Sequence, residues 1–486
     1  MSEKKIEAIY PLTFMQQSLL LHSLKEDQDQ GFLQVKCKLV GELKTELLEQ
    51  AWRIIMDHHP ALRSSIHWEN LEKPVQVVRK EVALHWTAED WQAYQADERK
   101  AKFERFLIQD TETGLELSKA PVFRVTLIQQ TATEFSQVWS CHHIFLDGWS
   151  SALILQEVFN CYHQLTEGMT FKAKATPSYD QYLNWLQSVD SEKTAEFWKA
   201  YLKGFDRPSL LVNSNQSNVK RESDFQAQVL TLTREESSEL ATTLKQYQVT
   251  TNNFLLAIWG LFLSRVLNEP EVAFGTTVSG RSIDLPGIEN MTGLFTNVLP
   301  VRLSVDKSST VQGWLAATQK TQAATRNFEF ASLDQIATWT EWPGFQALFD
   351  SLLVVENFPW EQLSAGEIEV QEFTSGVTTT YPLNVIIKPG DELELILRYD
   401  AAVIDSEFIS WIGENFKQLI SNAVHRKFNQ VKDLYFSIDS IPDIYLKHQQ
   451  EELNLSITDK DTPTKYQPPS NSLELQLTKI WEEILG

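Results

Sequence analysis

At 486 residues the chain is longer than one hydrophobic core usually serves, so two core units of about 200 residues each are expected. Its 42% hydrophobic, 11% aromatic and 22% charged residues describe a folded globular protein and exclude a disordered or fibrous one. A formal net charge of −22 repels phosphate backbones and anionic headgroups, and no basic patch offsets it, so neither nucleic acid nor a membrane surface is an expected partner.

Three cysteines, Cys37, Cys141 and Cys161, include no CxxC pair and give no disulfide framework, which fits a cytoplasmic location. The opening "MSEKKIEAIYPL" has no apolar run of signal-peptide length, and no segment reaches 18 continuous apolar residues, so neither a secretion signal nor a membrane span is expected.

In chain order, "GFLQVKCKLVGEL" alternates as a strand does, and "KTELLEQAWRIIMDHHPALR" has helical apolar spacing stopped by Pro60. The segment "VFRVTLIQQTATEFSQVWSCHH" predicts two strands joined by a polar turn. "FLDGW" then predicts a sharp loop, and "SSALILQEVFNCYHQL" a helix with Ser150 or Ser151 as its N-cap. In the second half, "YPLNVIIKPGDELELILRYDAAVIDSEFISWIGENFKQLI" again predicts strand, turn, strand, loop and amphipathic helix. With Asp405 set against Asp147, His143 falls opposite Ala401 and His142 opposite Asp400. The architecture is repeated while the histidines occur once, which predicts two related α/β lobes of which the first retains reactive groups. From about Tyr445 the chain turns polar and proline-containing, as a linker does, and "SLELQLTKIWEEILG" reads as an amphipathic helix.

Three readings compete for "HHIFLDG". A metal site needs three or four converging ligands, and adjacent residues at a strand end point to opposite faces, so His142 and His143 are poorly placed to chelate one ion. A structural reading makes the histidines hydrogen-bonded core residues. A catalytic reading lets one histidine face a cleft while the other packs inward. Asp147 is then buried in need of a partner, Gly148 ends a tight turn, and the backbone N–H groups of Gly148, Trp149 and Ser150 are aimed at a developing oxyanion. A neutral imidazole beside such donors suits acyl transfer, and the absence of GxSxG or an activated cysteine favours direct transfer over an acyl-enzyme. His58 and His59, ahead of Pro60, read as structural.

"CHHIFLDGWS" resembles the HHxxxDG motif of the condensation domains of nonribosomal peptide synthetases, within the chloramphenicol-acetyltransferase-like superfamily. Other stretches follow in that family's order: "YPLTFMQQSLLLHSL", "HPALRSS", "YDQYLNWL", "GLFTNVLPVRLS", the looser "RNFEFASL", and "LFDSLLVVENFP". The resemblance covers residues 6–445 and implies an α/β (α+β) fold of two chloramphenicol-acetyltransferase-like lobes, a V-shaped pseudo-dimer with a central tunnel. It implies amide-bond formation, an acceptor amine attacking a carrier-bound acyl or peptidyl thioester. Ester formation, transfer to a free amine, and non-catalytic carrier docking are the alternatives. His143 is the implied catalytic residue, with His142, Asp147 and Gly148 in support. Arg281 is the implied ion-pair partner of Asp147, Arg63 is a second cation near the site, and Trp149 and Asn297 are tunnel residues. No metal or bound cofactor is implied; substrates would ride on the phosphopantetheine of donor and acceptor carrier domains in a larger multidomain synthase.

The resemblance divides the chain into an N-terminal lobe over 1–175, a C-terminal lobe over 176–445, a linker over 446–468, and a truncated start of a carrier-protein domain over 469–486. Intact histidines set it apart from heterocyclisation domains, and Trp149-Ser150 from the VSW of epimerisation domains. Its opening motif is nearer to condensation domains that accept donors ending in a D-residue.

Overall fold

The computed structural model describes residues 5–25, 31–174, 176–205, 207–212, 224–340, 348–356, 366–376, 381–425 and 429–442. The expected linker at 446–468 and the expected carrier start at 469–486 lie outside them. The chain forms two compact units, one of Met1–Val189, Asp284–Thr296 and Phe358–Thr380, the other of Asp190–Ile283, Asn297–Asn357 and Tyr381–Gly486. The sequence places a single division at 175/176. The main boundary lies near 190, and two later segments return to the first unit. One of them carries a strand, Glu369–Gly376, that pairs with Phe32–Val40 from the far end of the chain, a contact that local periodicity does not encode.

The first unit is built on a five-stranded sheet. Its order is Glu369–Gly376, Phe32–Val40, Glu134–His142, Phe123–Gln129 and Trp86–Asp90, antiparallel except for the last pair. Alternation along Glu134–His142 decides what each face does. Phe135, Trp139 and Cys141 enter the apolar core with Trp52 and Ile55 of the Thr45–His58 helix and Leu155, Val158 and Phe159 of the Gly148–Thr166 helix. Trp52 meets Trp139 edge-on at 5.1 Å and donates its indole N–H to Gln137 at 3.1 Å. The opposite set, Ser136, Val138, Ser140 and His142, faces away from that helix pair.

On the opposite face Ser140, Gln34 and Arg124 converge on the buried carboxylate of Asp110, from the Ala96–Thr113 helix. A smaller sheet orders Ile6–Pro11, Val75–Arg79 and Ser64–His67.

The second unit has a six-stranded mixed sheet in the order Asn297–Ser304, Glu271–Val278, Ser351–Val355, Leu383–Lys388, Glu394–Asp400 and Phe225–Thr231. The Thr251–Leu267 helix is apolar almost all round and is buried accordingly.

The internal repeat holds residue by residue. The hairpin Phe123–Gln129/Glu134–His142 leads into Gly148–Thr166, and Leu383–Lys388/Glu394–Asp400 leads into Ser406–Val424. Asp147 and Asp405 are the N-caps of the two helices. His142 and Asp400 each close their strand, and the next residue donates its N–H to the carbonyl preceding the neighbouring strand. His143 donates to Gly31 and Ala401 to Asp224, both at 2.7 Å. The helix thus begins earlier than the expected serine cap at 150 or 151, because the Asp147 carboxylate is the acceptor that the free N–H groups find first. Gly148 is the first helical residue, so the turn is made upstream of it, by residues 143–146, and needs no glycine freedom at 148.

Removing the Asp110 carboxylate strands three donors in or near the sheet. Asp110→Ala is expected to destabilise the first unit by about 3 kcal/mol, read as a lowered urea midpoint by tryptophan fluorescence. An unchanged midpoint would show that the network contributes nothing.

Candidate active site

Between His142 and Asp147 the chain makes a tight turn. Phe145 N–H donates to His142 C=O at 3.2 Å and Leu146 N–H to His143 C=O at 3.3 Å. Every residue from His142 to Asp147 is buried except His143, which is half-buried. Apolar Ile144, Phe145 and Leu146 drive this loop into the first unit's core, and that burial fixes the histidine beside them.

The two imidazoles hold opposite tautomers. His143 Nδ1 lies 2.7 Å from the Leu146 carbonyl oxygen, which can only accept, so Nδ1 carries the proton and Nε2 a lone pair. That Nε2 has no hydrogen-bond partner among the described residues. In His142, Nδ1 accepts from the Ile144 N–H at 3.1 Å, so Nε2 carries the proton and points to Ser23 Oγ at 3.2 Å. His142 is fully buried, and its ring lies where a side chain on Gly31 would be: a Cβ there would sit 2.1 Å from His142 Cε1.

Burial lowers the His143 pKa below the ordinary imidazole value by penalising the charged ring. The hydrogen bond to Leu146 and the Asp147 carboxylate oppose this in part, and His142 adds to it. His143 is therefore held neutral, and its Nε2 keeps its lone pair.

Asp147 is completely buried. One carboxylate oxygen accepts from Ser150 N–H at 2.7 Å, the helix cap; the other accepts from Phe295 N–H at 3.0 Å and Thr296 N–H at 3.3 Å. Ser150 Oγ donates to Gly293 C=O at 2.8 Å and accepts from Gly293 N–H at 3.1 Å. Trp149 Nε1 donates to Glu289 C=O, and Tyr179 OH donates to Leu294 C=O. The segment 289–296 is thus bound to the helix start from several side chains. The expected oxyanion role of the Ser150 N–H is corrected, since Asp147 already occupies it.

Arg63, Asn297 and Arg281 complete the sequence candidates. Arg63 is buried, paired with Glu7 and donating to the carbonyls of Met56 and Arg79, so this cation ties the end of the Thr45–His58 helix to two strands. Asn297 donates its amide nitrogen to the carbonyls of Glu329 and Ala331. Arg281, half-buried in the second unit, precedes Ser282, whose N–H donates to the Glu329 carboxylate at 3.0 Å. His59 is buried between Glu157 and Thr292, and with His58 these groups are close enough to approach one ion, but both rings already have protein partners. Burial pushes the thiols of Cys141 and Cys37 up to about 12, so neither is a nucleophile. Sequence reasoning missed Leu146, Gly31 and Gln16; the glycine next to a strand start and the Thr-x-x-Gln at 13–16 were the signals to be had.

A neutral imidazole tethered through Nδ1, its Nε2 unmet among the described residues, and a mixed α/β fold repeated in two units fit an acyltransferase. Residues 6–438 match the condensation domain, and the chain belongs to that family of amide-forming acyltransferases. It is 35% identical to one component of the linear gramicidin synthase of Brevibacillus parabrevis over 86% of this chain. It is 31% identical to chondramide synthase of Chondromyces crocatus over 87%. It spans only 8% and 12% of those two relatives. The fold is similar to the starter condensation domain of rhizomide synthetase, with TM-score 0.75, 19% identity and coverage of 87% of this chain and 97% of that one. It is also similar to the first condensation domain of the calcium-dependent antibiotic synthetase, with TM-score 0.74, 17% identity and coverage of 88% and 98%. Among the described residues no helix is long and apolar enough to cross a membrane.

Gly31→Ala forces the His142 ring out of its place. The expected result is a loss of about 1–3 kcal/mol in stability together with reduced turnover, measured by thermal melting and product formation. A variant as stable and active as the unmodified chain would show that His142 can move freely.

Proposed function

We propose that this domain joins an acceptor amine to a donor acyl or peptidyl thioester, each delivered on the phosphopantetheine arm of a carrier domain within a larger synthase. The observation that carries the proposal is the His143 tautomer: Nδ1–H is committed to Leu146, which leaves Nε2 as a neutral base. The amine nitrogen attacks the thioester carbonyl, and a C–N bond forms as the amine proton is drawn to Nε2. The tetrahedral intermediate then expels the thiolate, which takes the proton from the imidazolium as the C–S bond breaks. Asp147 keeps the helix start and the 293–296 segment in register and does not touch the reacting atoms. Relatives named as gramicidin and chondramide synthases support an assembly-line setting, and the linker and carrier-like sequence at 446–486 support carrier-borne substrates.

His143→Ala is expected to lower amide formation between donor-loaded and acceptor-loaded carriers by about 100-fold or more while leaving the thermal melt unchanged. Retained turnover would refute the assignment, and a panel of alcohols and free amines read by mass spectrometry separates ester formation and free-amine transfer from carrier-borne acceptance.

The pH dependence follows from the sign of the shift. With the folded pKa below the unfolded one, neutral His143 persists as pH falls past the ordinary imidazole value of 6.5. The stability that depends on its neutrality is complete above that value and is lost as pH falls below it. The acid limb of kcat/KM is therefore expected below 6.5 and absent in His143→Ala; a limb above 6.5 would contradict a buried neutral base.

A further inference from the structure

We infer that Gln16 is a positioning residue for His143, its side-chain amide clamping the backbone of the histidine turn at Ile144. The inference rests on the proposed role of His143 and deepens it.

Gln16 is buried on the Phe14–Lys25 helix and has two separate tasks. Its side-chain oxygen accepts from Thr13 N–H at 3.0 Å, and its backbone N–H donates to Thr13 Oγ1 at 3.2 Å, which is a capping box. Its amide nitrogen faces the other way, donating to Ile144 C=O at 2.9 Å and to Gln76 Oε1 at 2.9 Å. Gln76 donates in turn to Ser64 Oγ at 2.9 Å, and Ser64 to Pro60 C=O at 2.8 Å. Gln16, Gln76 and Ser64 are all buried, and donors and acceptors alternate along the whole relay, so neither amide can flip without stranding a polar atom. Ile144 directly follows His143, and its peptide lies inside the turn that the His143–Leu146 bond closes. Besides its backbone hydrogen bonds, three side-chain contacts hold that turn: Gln16 at the Ile144 carbonyl, His142 Nδ1 at the Ile144 N–H, and the Leu146 carbonyl at His143 Nδ1. A carbonyl in a buried turn that loses its donor will reorient toward another, and the adjacent imidazole moves with it.

The two tasks can be separated by substitution. Gln16→Glu keeps the acceptor of the capping box but replaces the amide donors with an oxygen that faces two other acceptors when ionised. Gln16→Leu removes both tasks, and Thr13→Ala weakens the cap alone. Turnover is followed in the full chain with whichever pair of aminoacyl N-acetylcysteamine thioesters the unmodified protein joins fastest. The His143 tautomer is followed by NMR of 15N-histidine-labelled protein. Expected are a fall in kcat of about 100-fold in Gln16→Leu with acceptor KM within about twofold, and loss of the single Nδ1–H tautomer. Gln16→Glu should recover turnover as pH is lowered and its carboxyl protonates, a trend the unmodified chain lacks, while Thr13→Ala keeps its kcat. Unchanged kcat in Gln16→Leu, a fall in kcat with the tautomer signal intact, or collapse of the fold in both Gln16 variants would overturn the inference. If His143→Ala itself retains turnover, the reading of His143 fails instead, and the tautomer measurement still decides whether Gln16 sets the ring.

Discussion

A carboxylate with no solvent access must be met by donors, and Asp147 draws backbone N–H groups from two separate stretches of chain to satisfy that demand. One comes from the helix it caps, where the unsatisfied N–H groups and the helix dipole both favour an anion. Two come from residues 295 and 296, which reach the first unit only after the chain has passed through part of the second. The same short stretch is held by the Ser150 hydroxyl and by Trp149 and Tyr179. Binding the 289–296 segment and starting the helix are thus one event. Its consequence for function is indirect: the helix start fixes where the His143–Leu146 turn ends.

The internal repeat shows what this adds to an ordinary helix cap. Asp405 caps its helix with the same local chemistry but is exposed and accepts from the N–H of Glu407. The strand end, the backbone hydrogen bond after it and the cap position are shared by both units, so they belong to the fold. The full burial of the aspartate and the two imidazoles belong to the first unit alone. What the second unit lacks is therefore a direct measure of what the first unit has added for chemistry.

Much of this was legible in the sequence, and the division between what was and was not is physical. The strand–turn–strand–helix pattern shows because side-chain burial repeats with the period of the backbone, and the 147/405 register aligns because both aspartates answer the same need of a helix N-terminus. The serines at 150 and 151 were a reasonable but mistaken cap, since Asp147 reaches the same N–H first. Contacts such as Gln16 to Ile144, Asp147 to 295–296, and the Glu369–Gly376 strand beside Phe32–Val40 link stretches far apart in the chain. No local preference records them. Gly31 is an intermediate case, because its neighbourhood marks a strand start but only the position of the His142 ring explains why no side chain fits.

The paired histidines show how one backbone turn produces two chemically different imidazoles. His142 ends the strand and meets a backbone N–H with Nδ1, so its ring is an acceptor on the inside and a donor toward Ser23. His143 begins the turn and meets a carbonyl, so its ring is a donor on the inside and an acceptor at Nε2. Exchanging the polarity of the backbone partner at His143 would place a proton on the nitrogen proposed to receive one. Burial completes the arrangement by keeping the second ring neutral. Acyl transfer to an amine needs a base that is weak enough to release its proton to a departing thiolate and yet unprotonated before attack. A desolvated imidazole tethered through Nδ1 to a carbonyl meets both conditions without a carboxylate on that nitrogen. Asp147 is therefore free to hold the backbone on which the turn rests.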